Sequence, residues 1–261
     1  MRMNVARTVQ RVRKMIGRGT PVGVSLAPSY ICAFREWEPE RVVGGLKLLG
    51  FTRVEETASV LPHIVAERKR SVDGRLTASS KATEGPVLST SCPRFVDMVK
   101  SDFPHLEGHL FCLPAPMTVH CLELRKRVQG PVVFIGPCPF KADEAECTGA
   151  ADGVLTFAQL GDWFREEGIG PEDAPLLPPD LSAPYWTCAS LLAVEVSGMD
   201  SCEAFLRGFP ETAAGHEFVE ALACEGGCLY GPGMPAGMSV EERKRRLISR
   251  MYGVDGLRSS R

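Results

Sequence analysis

Near the start of the chain, segments with apolar residues every three or four positions alternate with short continuous apolar runs. Residues 3–17 place valine and isoleucine every three or four positions among arginines and lysines, which predicts an amphipathic helix. The apolar run 22–27 predicts a buried strand, residues 39–49 predict a second helix, and residues 52–56 predict a short strand or turn. Strand and helix alternating at this pace are typical of a parallel sheet with helices on both faces.

The same alternation continues through the middle of the chain. Residues 87–90 predict a strand, followed by a helix that begins near Pro93. Residues 114–130 predict another helix, and residues 132–136 form the clearest strand pattern in the sequence. The spacing of threonine and glutamine at 156–159 predicts a capping box that opens a further helix.

The remaining segments are less regular. Residues 71–85 are polar and predict a surface loop, and the prolines of residues 168–187 predict a long irregular connection. Residues 191–196 predict a strand, and residues 217–222 predict a short helix that delivers a cysteine. Residues 239–252 predict a basic helix that serves as a solvated or docking arm.

Composition and charge narrow the class of protein. With 261 residues, 44% of them hydrophobic, the chain can bury the core of one large or two small domains. Its net charge of −2 gives no bulk attraction to nucleic acid. No apolar run reaches the length of a membrane span, and the arginine-rich N-terminus lacks the apolar core of a secretory signal. We therefore expect a cytoplasmic protein that binds neither nucleic acid nor membrane.

Ten cysteines are many for a chain of this length. In a reducing compartment, their irregular spacing indicates thiols that are buried or bound to metal. Free cysteine packs as a small apolar side chain, and this interpretation is preferred at six positions: Cys32, Cys112, Cys121, Cys147, Cys188 and Cys202.

The other four cysteines lie in segments with the character of a metal site. Cys224 and Cys228 are four residues apart in a glycine-rich turn. Cys92 and Cys138 each follow a predicted strand closely. Four thiolates from three segments suit an iron–sulfur cubane, in which each iron takes one cysteine.

Residues around these cysteines fit an anionic cluster. The backbone N–H groups of Gly226 and Gly227 can approach it closely, because no side chain blocks them. Lys141 offers a cation three residues after a cysteine, although a surface lysine would look the same in sequence. Pro28 and Ser29 follow the first strand, and open parallel sheets bind ligands beyond the carboxyl ends of their strands.

Three ordered motifs resemble the catalytic domain of iron-iron (FeFe) hydrogenases: TSCP at residues 90–93, GPCPFKADE at 136–144 and ACEGGCLYGPG at 223–233. The likeness extends from residue 26 to residue 232. Residues 115–117 and 133–138 look most like the sensory branch of that family. Each motif is weak alone, but the ordered set is specific.

The resemblance implies one α/β domain over residues 1–261 with two lobes. Each lobe is expected to be a mostly parallel sheet flanked by helices, with the boundary within residues 105–131. A C-terminal basic helix and tail would occupy residues 239–261. Between the lobes the family holds the H-cluster, a 4Fe-4S cubane joined through one cysteine to a two-iron subcluster with carbonyl and cyanide ligands.

The family's ligand roles carry over by motif. Cys92, Cys138, Cys224 and Cys228 match the cubane ligands. Cys228 matches the cysteine that bridges to the two-iron subcluster. Lys141 matches the lysine that hydrogen-bonds a cyanide, a charge-assisted bond to an anionic ligand.

Other matched positions show departures from the family pattern. Pro28 and Ser29 match residues that line the two-iron pocket, and Glu67 matches the first glutamate of the proton path. Arg70 stands where a second acid is common. Ser91 stands where active members carry a cysteine that relays protons, and a serine hydroxyl is a far weaker acid than a thiol with a pKa near 8.5.

Two further features bear on cofactor and partners. Gly136 and Leu222 replace methionines that pack against the two-iron subcluster in the family. The chain carries no N-terminal C-x-x-C-x-x-C run, so electrons are expected to come directly from an external carrier such as a ferredoxin. The resemblance also implies maturation enzymes and, for a sensory role, a signalling partner.

Three functions therefore stay open at this point. The first is an H-cluster protein that oxidises hydrogen, reduces protons or senses hydrogen. The second is a cubane-only protein that acts in electron transfer, as a redox switch or in cluster assembly, without hydrogenase activity. The third is an α/β interaction domain whose cysteines bind zinc or nothing.

Overall fold

The computed structural model describes residues 5–72, 85–111, 113–182 and 193–252. Helices within these ranges are α1 Val5–Ile16, α2 Pro39–Leu48, α3 Leu61–Val72, α4 Pro93–Asp102, α5 Pro116–Val128, α6 Lys141–Thr148, α7 Phe157–Glu166, α8 Met199–Arg207 and α9 Val240–Tyr252. Strands are β1 Gly23–Leu26, β2 Arg53–Glu56, β3 Val87–Leu88, β4 Val132–Gly136, β5 Gly153–Thr156, β6 Ala193–Ser197 and β7 Phe218–Leu222.

Strands β2, β1, β4 and β5 form, in that order, the first sheet, in which every ladder is parallel. Val24 of β1 pairs with Val54 of β2 and Val133 of β4. Helix α5 packs on β1 and β4, whereas α1 and α7 pack together and on β5. Every residue of β1 is buried, as expected for a strand that helices cover on both faces.

The second sheet has the order β3, β7, β6 and is also parallel throughout. Helices α4 and α8 pack on it, around a core that includes Phe95, Leu206 and Val219. A smaller cluster places Ile64 of α3 against Phe218 of β7. The predicted fold class, α/β with parallel sheets flanked by helices, is confirmed.

The strands and helices predicted within residues 3–56, 87–136 and 156–164 are confirmed, although β3 is shorter than predicted. At α7 the capping box is present: Gln159 N donates to Thr156 Oγ1 at 3.2 Å, and Thr156 N donates to Gln159 Oε1 at 2.7 Å. The sequence patterns did not reveal α3, α6, α8 or β5.

One element was predicted wrongly. Residues 217–222 were expected to form a short helix, but Phe218–Leu222 is the central strand of the second sheet. Phe218, Val219 and Ala221 are buried, and the strand is hydrogen-bonded on both sides. Aromatic and β-branched residues suit a strand, and pairing with two neighbours outweighs the helix propensity of glutamate, alanine and leucine.

The chain crosses between the two sheets more than once. Strands β1 and β2 belong to the first sheet, β3 to the second, β4 and β5 to the first, and β6 and β7 to the second. The division into two lobes with a boundary within residues 105–131 stays a prediction. Residues 168–182 are irregular as expected. Most of the loop predicted at 71–85 lies outside the described residues, as do residues 183–192.

The six cysteines interpreted as core residues behave differently from one another. Cys32, Cys121 and Cys202 are fully buried, and burial raises the pKa of each thiol. Cys147 is exposed on α6, so the core interpretation was wrong there. Its helix turns that position toward solvent. The remaining two, Cys112 and Cys188, lie outside the described residues.

Helix α9 packs on the body of the protein, so it is not a free solvated arm. The other expectation, that it docks a partner, stays a prediction. Arg243 is 1% exposed, and Arg246 donates to the carbonyls of Phe34, Arg35 and Trp37. The helix lies against two short 3-10 helices, Pro28–Cys32 and Gly227–Tyr230. Its basic residues are therefore divided between a buried face and an exposed face that carries Lys244 and Arg245.

A buried charged network joins the first sheet to α5. The side chain of Glu55 is 0% exposed and accepts hydrogen bonds from Arg127 at 2.6 and 3.0 Å and from Arg53 at 2.5 Å. His120 Nε2 lies 3.2 Å from Glu55 Oε2, and its Nδ1 lies 2.8 Å from Ser25 Oγ. The carboxylate is fully satisfied, as a buried charge must be to persist.

No helix among the described residues combines the length and apolar character needed to cross a lipid bilayer.

Candidate metal centre

Carboxyl ends of strands from both sheets deliver four cysteines, Cys92, Cys138, Cys224 and Cys228, which we call the site cysteines. Cys92 caps the start of α4 a few residues after β3, and Cys138 follows β4. Cys224 follows β7, and Cys228 lies in the 3-10 helix Gly227–Tyr230. Parallel sheets bind ligands at this edge, so the topology places the site cysteines where a cofactor is expected.

The site cysteines lie close enough to influence one another's ionisation. Burial raises the pKa of Cys228 to about 12, and negative charge at Cys92 and Cys138 adds to the effect. Burial and neighbouring thiolates also raise the pKa of Cys138 and Cys224. Cys228 is nevertheless exposed to solvent over part of its surface. Without a metal the thiol of Cys228 is therefore protonated at neutral pH.

Direct contacts tie the cysteine segments to one another. Ala223 N donates to Cys92 Sγ at 3.5 Å, which links the β7 segment to the start of α4. Gly233 N donates to Pro137 O at 2.8 Å, which links the glycine-rich segment to the end of β4. A Cβ added at Gly231 would lie 2.6 Å from the same carbonyl. Glycine there permits the close approach of the two segments.

The two central glycines of the turn serve its geometry. Gly226 and Gly227 have φ of 69° and 66°, in the left-handed region that glycine adopts without strain. Gly227 N donates to Cys224 O at 2.9 Å inside the turn, and a Cβ added at Gly226 would lie 3.0 Å from Val240. Positive φ and close packing thus account for both glycines. Their expected approach to a cofactor stays a prediction.

Lys141 is buried at the start of α6 and reaches across to the second sheet. Its Nζ donates to Ser91 O at 2.9 Å and to Glu144 Oε2 at 2.5 Å. Thr118 Oγ1 donates to the other oxygen of Glu144 at 2.7 Å. The lysine is 8% exposed, so the surface interpretation does not hold and its charge lies inside the protein. Spacing of three residues on a helix was the signal that could have identified Glu144 as its partner.

Ser91 belongs to a polar chain that sequence reasoning missed. Its Oγ lies 2.9 Å from Ser89 Oγ and 3.3 Å from a guanidinium nitrogen of Arg68. Ser89 Oγ lies 2.7 Å from Glu220 Oε1, and Arg68 pairs with Glu220 at 3.0 Å. The sequence analysis did not identify Glu220 as a site residue. It predicted a helix for residues 217–222, so the side of the strand on which Glu220 lies could not be anticipated.

The remaining predicted site residues lie at the edges of this region. Glu67 is buried on α3 and forms an ion pair with Arg70, so the two charges compensate each other. Pro28 and Ser29 begin the 3-10 helix that follows β1, and Ser29 O accepts a hydrogen bond from Cys32 Sγ at 3.3 Å. Their roles toward a cofactor stay predictions.

The donor set fits an anionic iron–sulfur cluster. Within the described ranges, no three His, Cys, Asp or Glu side chains stand close enough to ligate one metal ion. A cubane differs, because its four thiolates bind four separate irons and are spread more widely. The buried cation of Lys141 lies beside the site cysteines and offsets part of the rise that burial causes in the pKa of Cys138 and Cys228, as a neighbour of anionic sulfur should.

Comparison with known protein families finds a match over most of the chain. A family model described as "Iron only hydrogenase large subunit, C-terminal domain" matches residues 20–187 and 186–232. Within curated proteins, no sequence matches the chain.

Solved structures with the same fold include several FeFe-hydrogenases. A variant of FeFe-hydrogenase HydA1 from Chlamydomonas reinhardtii matches with a TM-score of 0.78 and 18% identity, over 92% of this chain and 88% of that chain. An apo variant of the same protein matches with a TM-score of 0.77 and 17% identity, over 91% and 88%. A structure described in terms of stepwise FeFe-hydrogenase H-cluster assembly matches with a TM-score of 0.75 and 18% identity, over 91% and 88%.

Proposed function

We propose that this chain, which belongs to the family formed by the C-terminal domain of the large chain of iron-only hydrogenases, holds a 4Fe-4S cubane on its site cysteines and performs hydrogen chemistry or hydrogen sensing at an H-cluster. The observation that carries the proposal is the convergence of four mutually influencing thiols beside the buried cation of Lys141. When bound, the cluster would supply the interconversion of hydrogen with protons and electrons.

The protein's own residues would hold charge and move protons around that cluster. Lys141 would hold a positive charge at Nζ, oriented by Glu144 and by the carbonyl of Ser91. Ser91 Oγ would hold a proton and exchange it with Ser89 Oγ and then with Glu220. The side chain of Glu220 is 26% exposed, so this chain of groups reaches solvent. A hydroxyl relays protons more slowly than a thiol, which fits slow turnover or sensing.

We assign the protein to the sensory branch on the motifs at residues 115–117 and 133–138. A sensory role requires a signalling partner, and the two-iron subcluster requires maturation enzymes. Electrons would come from an external carrier such as a ferredoxin. A reducing cytoplasm suits such a protein, because its cysteines among the described residues are free thiols.

A cubane-only protein for electron transfer, redox switching or cluster assembly is the second candidate, and one local feature favours it. At Gly136, where the family has a methionine, an added Cβ would lie 2.6 Å from the ring of Phe134. That ring occupies the space into which the methionine would extend. A two-iron subcluster would lack this contact.

Two measurements separate the candidates. Iron and acid-labile sulfide in anaerobically purified protein should approach four of each per chain if the cubane is present. After maturation with the two-iron cofactor, infrared spectra should show carbonyl and cyanide bands, and Cys228→Ala should abolish them. A protein with full cubane loading and no such bands is the cubane-only form. Absence of iron and sulfide would refute both candidates.

A further inference from the structure

Arg243 of α9 is a buried guanidinium whose N–H groups are only partly used. The residue is 1% exposed and ranks among the largest fully buried side chains of the described residues. Its Nη2 donates to the carbonyl of Pro235. Its Nε and Nη1 have no hydrogen-bond partner among the described residues. Burial without full pairing is costly for a cation, so its retention calls for a physical reason.

The groups nearest to Arg243 offer little compensating charge. Cys32 is fully buried, and burial raises the pKa of its thiol to about 11, so it is neutral at physiological pH. Among carboxylates of the described residues, Glu242 acts on the charge of Arg243. It is partly exposed and already pairs with Arg35 at 3.0 Å, so it compensates Arg243 only weakly.

Contacts of α9 place the helix turn that carries Arg243 against the 3-10 helix that holds Cys228. Val240 packs against Gly226, since a Cβ added there would lie 3.0 Å from its side chain. Arg243 follows Val240 by three residues and therefore lies on the same face of α9. That face packs on the 3-10 helices Gly227–Tyr230 and Pro28–Cys32.

Arg246 lies one turn further along α9 and provides a comparison, because its hydrogen bonds only anchor the helix. Its guanidinium donates to Phe34 O at 2.9 Å, to Arg35 O at 2.5 Å and to Trp37 O at 2.8 Å. Carbonyl oxygens thus satisfy this group. Arg243 differs, because two of its three nitrogens have no partner in the described part of the chain and can face an anionic neighbour.

We propose that Arg243 is a positioning residue that supplies the buried counter-charge for an anionic iron–sulfur cluster on the site cysteines, acting from behind the Cys228 loop. The inference rests on the cubane of the proposed function. A fixed positive charge in a poorly solvated interior favours the more negatively charged, reduced cluster. Arg243 should therefore raise the reduction potential of the cluster, in addition to holding α9 in place.

The test is a redox titration of the full chain after anaerobic reconstitution with iron and sulfide, followed by electron paramagnetic resonance. Arg243→Met removes the charge with similar side-chain volume, and we expect its one-electron reduction equilibrium to weaken about tenfold, which is about 59 mV toward negative potential. Arg243→Lys retains the charge and should stay near the wild-type potential. Equal potentials in wild type and Arg243→Met, with intact clusters in both, would overturn the inference.

Further variants separate charge from folding. Arg246→Met should lower the thermal midpoint while moving the potential much less than Arg243→Met does. Arg243→Gln keeps an amide donor for Pro235 O and provides a neutral variant if Arg243→Met does not fold. A shift in Arg246→Met equal to that of Arg243→Met would reject a specific role for Arg243. Failure of the wild-type chain to take up a cubane would instead refute the proposed function.

Discussion

At Ser91, one residue serves two different partners. Its carbonyl accepts from Lys141 and belongs to the frame of the site, whereas its hydroxyl belongs to the polar chain with Ser89 and Arg68. Replacing the side chain therefore leaves the main-chain contact to Lys141 in place. This separation makes Ser91 a position where proton relay can be altered without dismantling the site.

Ser91→Cys should raise the hydrogen turnover of the matured protein about tenfold or more, because a thiol is a far better proton relay than a hydroxyl. The guanidinium of Arg68 beside this position would favour the thiolate further. Hydrogen-dependent reduction of a viologen dye measures the effect. Ser89→Cys, one step away in the same chain, is the comparison variant. An unchanged or lower rate with full cofactor loading would count against the serine as the limiting relay.

Lys141→Met should lower the free energy of unfolding of the metal-free protein by about 3 kcal/mol, because it leaves a largely buried carboxylate, that of Glu144, without its cation. Side chains of Lys141 and Glu144 are only 10% and 16% exposed. Urea unfolding measures the loss. Adding Glu144→Gln to the variant should restore most of it. A loss below about 1 kcal/mol, as for a surface pair, would contradict the buried placement.

Among the elements, β2 and α5 are held together by charge as well as by packing. Burial alone would raise the pKa of Glu55, but hydrogen bonds from His120, Arg127 and Arg53 outweigh it and hold the pKa well below its ordinary range. The folded protein therefore prefers the carboxylate more strongly than the unfolded chain does. Its contribution to stability is fully present above the ordinary glutamate pKa of about 4.3 and is lost as pH falls below it.

Glu55→Gln should consequently flatten the acid side of the stability profile. Wild type should lose stability more steeply than the variant between about pH 5 and pH 3, because only wild type must protonate this carboxylate. The variant should be less stable than wild type at pH 7, since its amide leaves Arg127 poorly paired. Urea unfolding across this pH range provides the measurement. Parallel profiles would show that Glu55 does not control the acid response.

For the whole molecule, the site cysteines connect the two sheets. Cys138 comes from the first sheet, whereas Cys92 and Cys224 come from the second. A cluster bound by all of them would act as a covalent link between both sheets. Because metal binding requires thiolates, cluster uptake should release protons from groups whose pKa values are raised in the metal-free protein.

Reconstitution with iron and sulfide should raise the thermal midpoint by about 10 °C, because a cofactor that binds only the folded state stabilises it by roughly 4 kcal/mol at saturating occupancy. Cys138→Ala should abolish the increase. Cys147→Ala removes an exposed cysteine outside the site and should retain it. Calorimetry under argon provides the measurement. Full iron loading with an unchanged midpoint would contradict a link between the sheets.

Local patterns were sufficient for much of the fold. Apolar spacing determined α1, α2, β1 and β4, because each buries a face that its own sequence marks. Ordered motifs around the site cysteines identified the family and its expected cofactor. Sequence also drew attention to Lys141, which follows Cys138 by three residues, but its burial came from the tertiary structure and its role toward a cofactor stays a prediction.

Other features depended on contacts between distant segments. Residues 217–222 became a strand only because β3 and β6 flank them. Partners such as Glu220 for Ser89 are separated by more than a hundred residues. Burial of Arg243 required α9 to dock on the remote 3-10 helix Pro28–Cys32 as well as on the nearby one. Local periodicity reports which side of an element is apolar. Only the tertiary structure decided which element packs on that side and which charged residues that element carries.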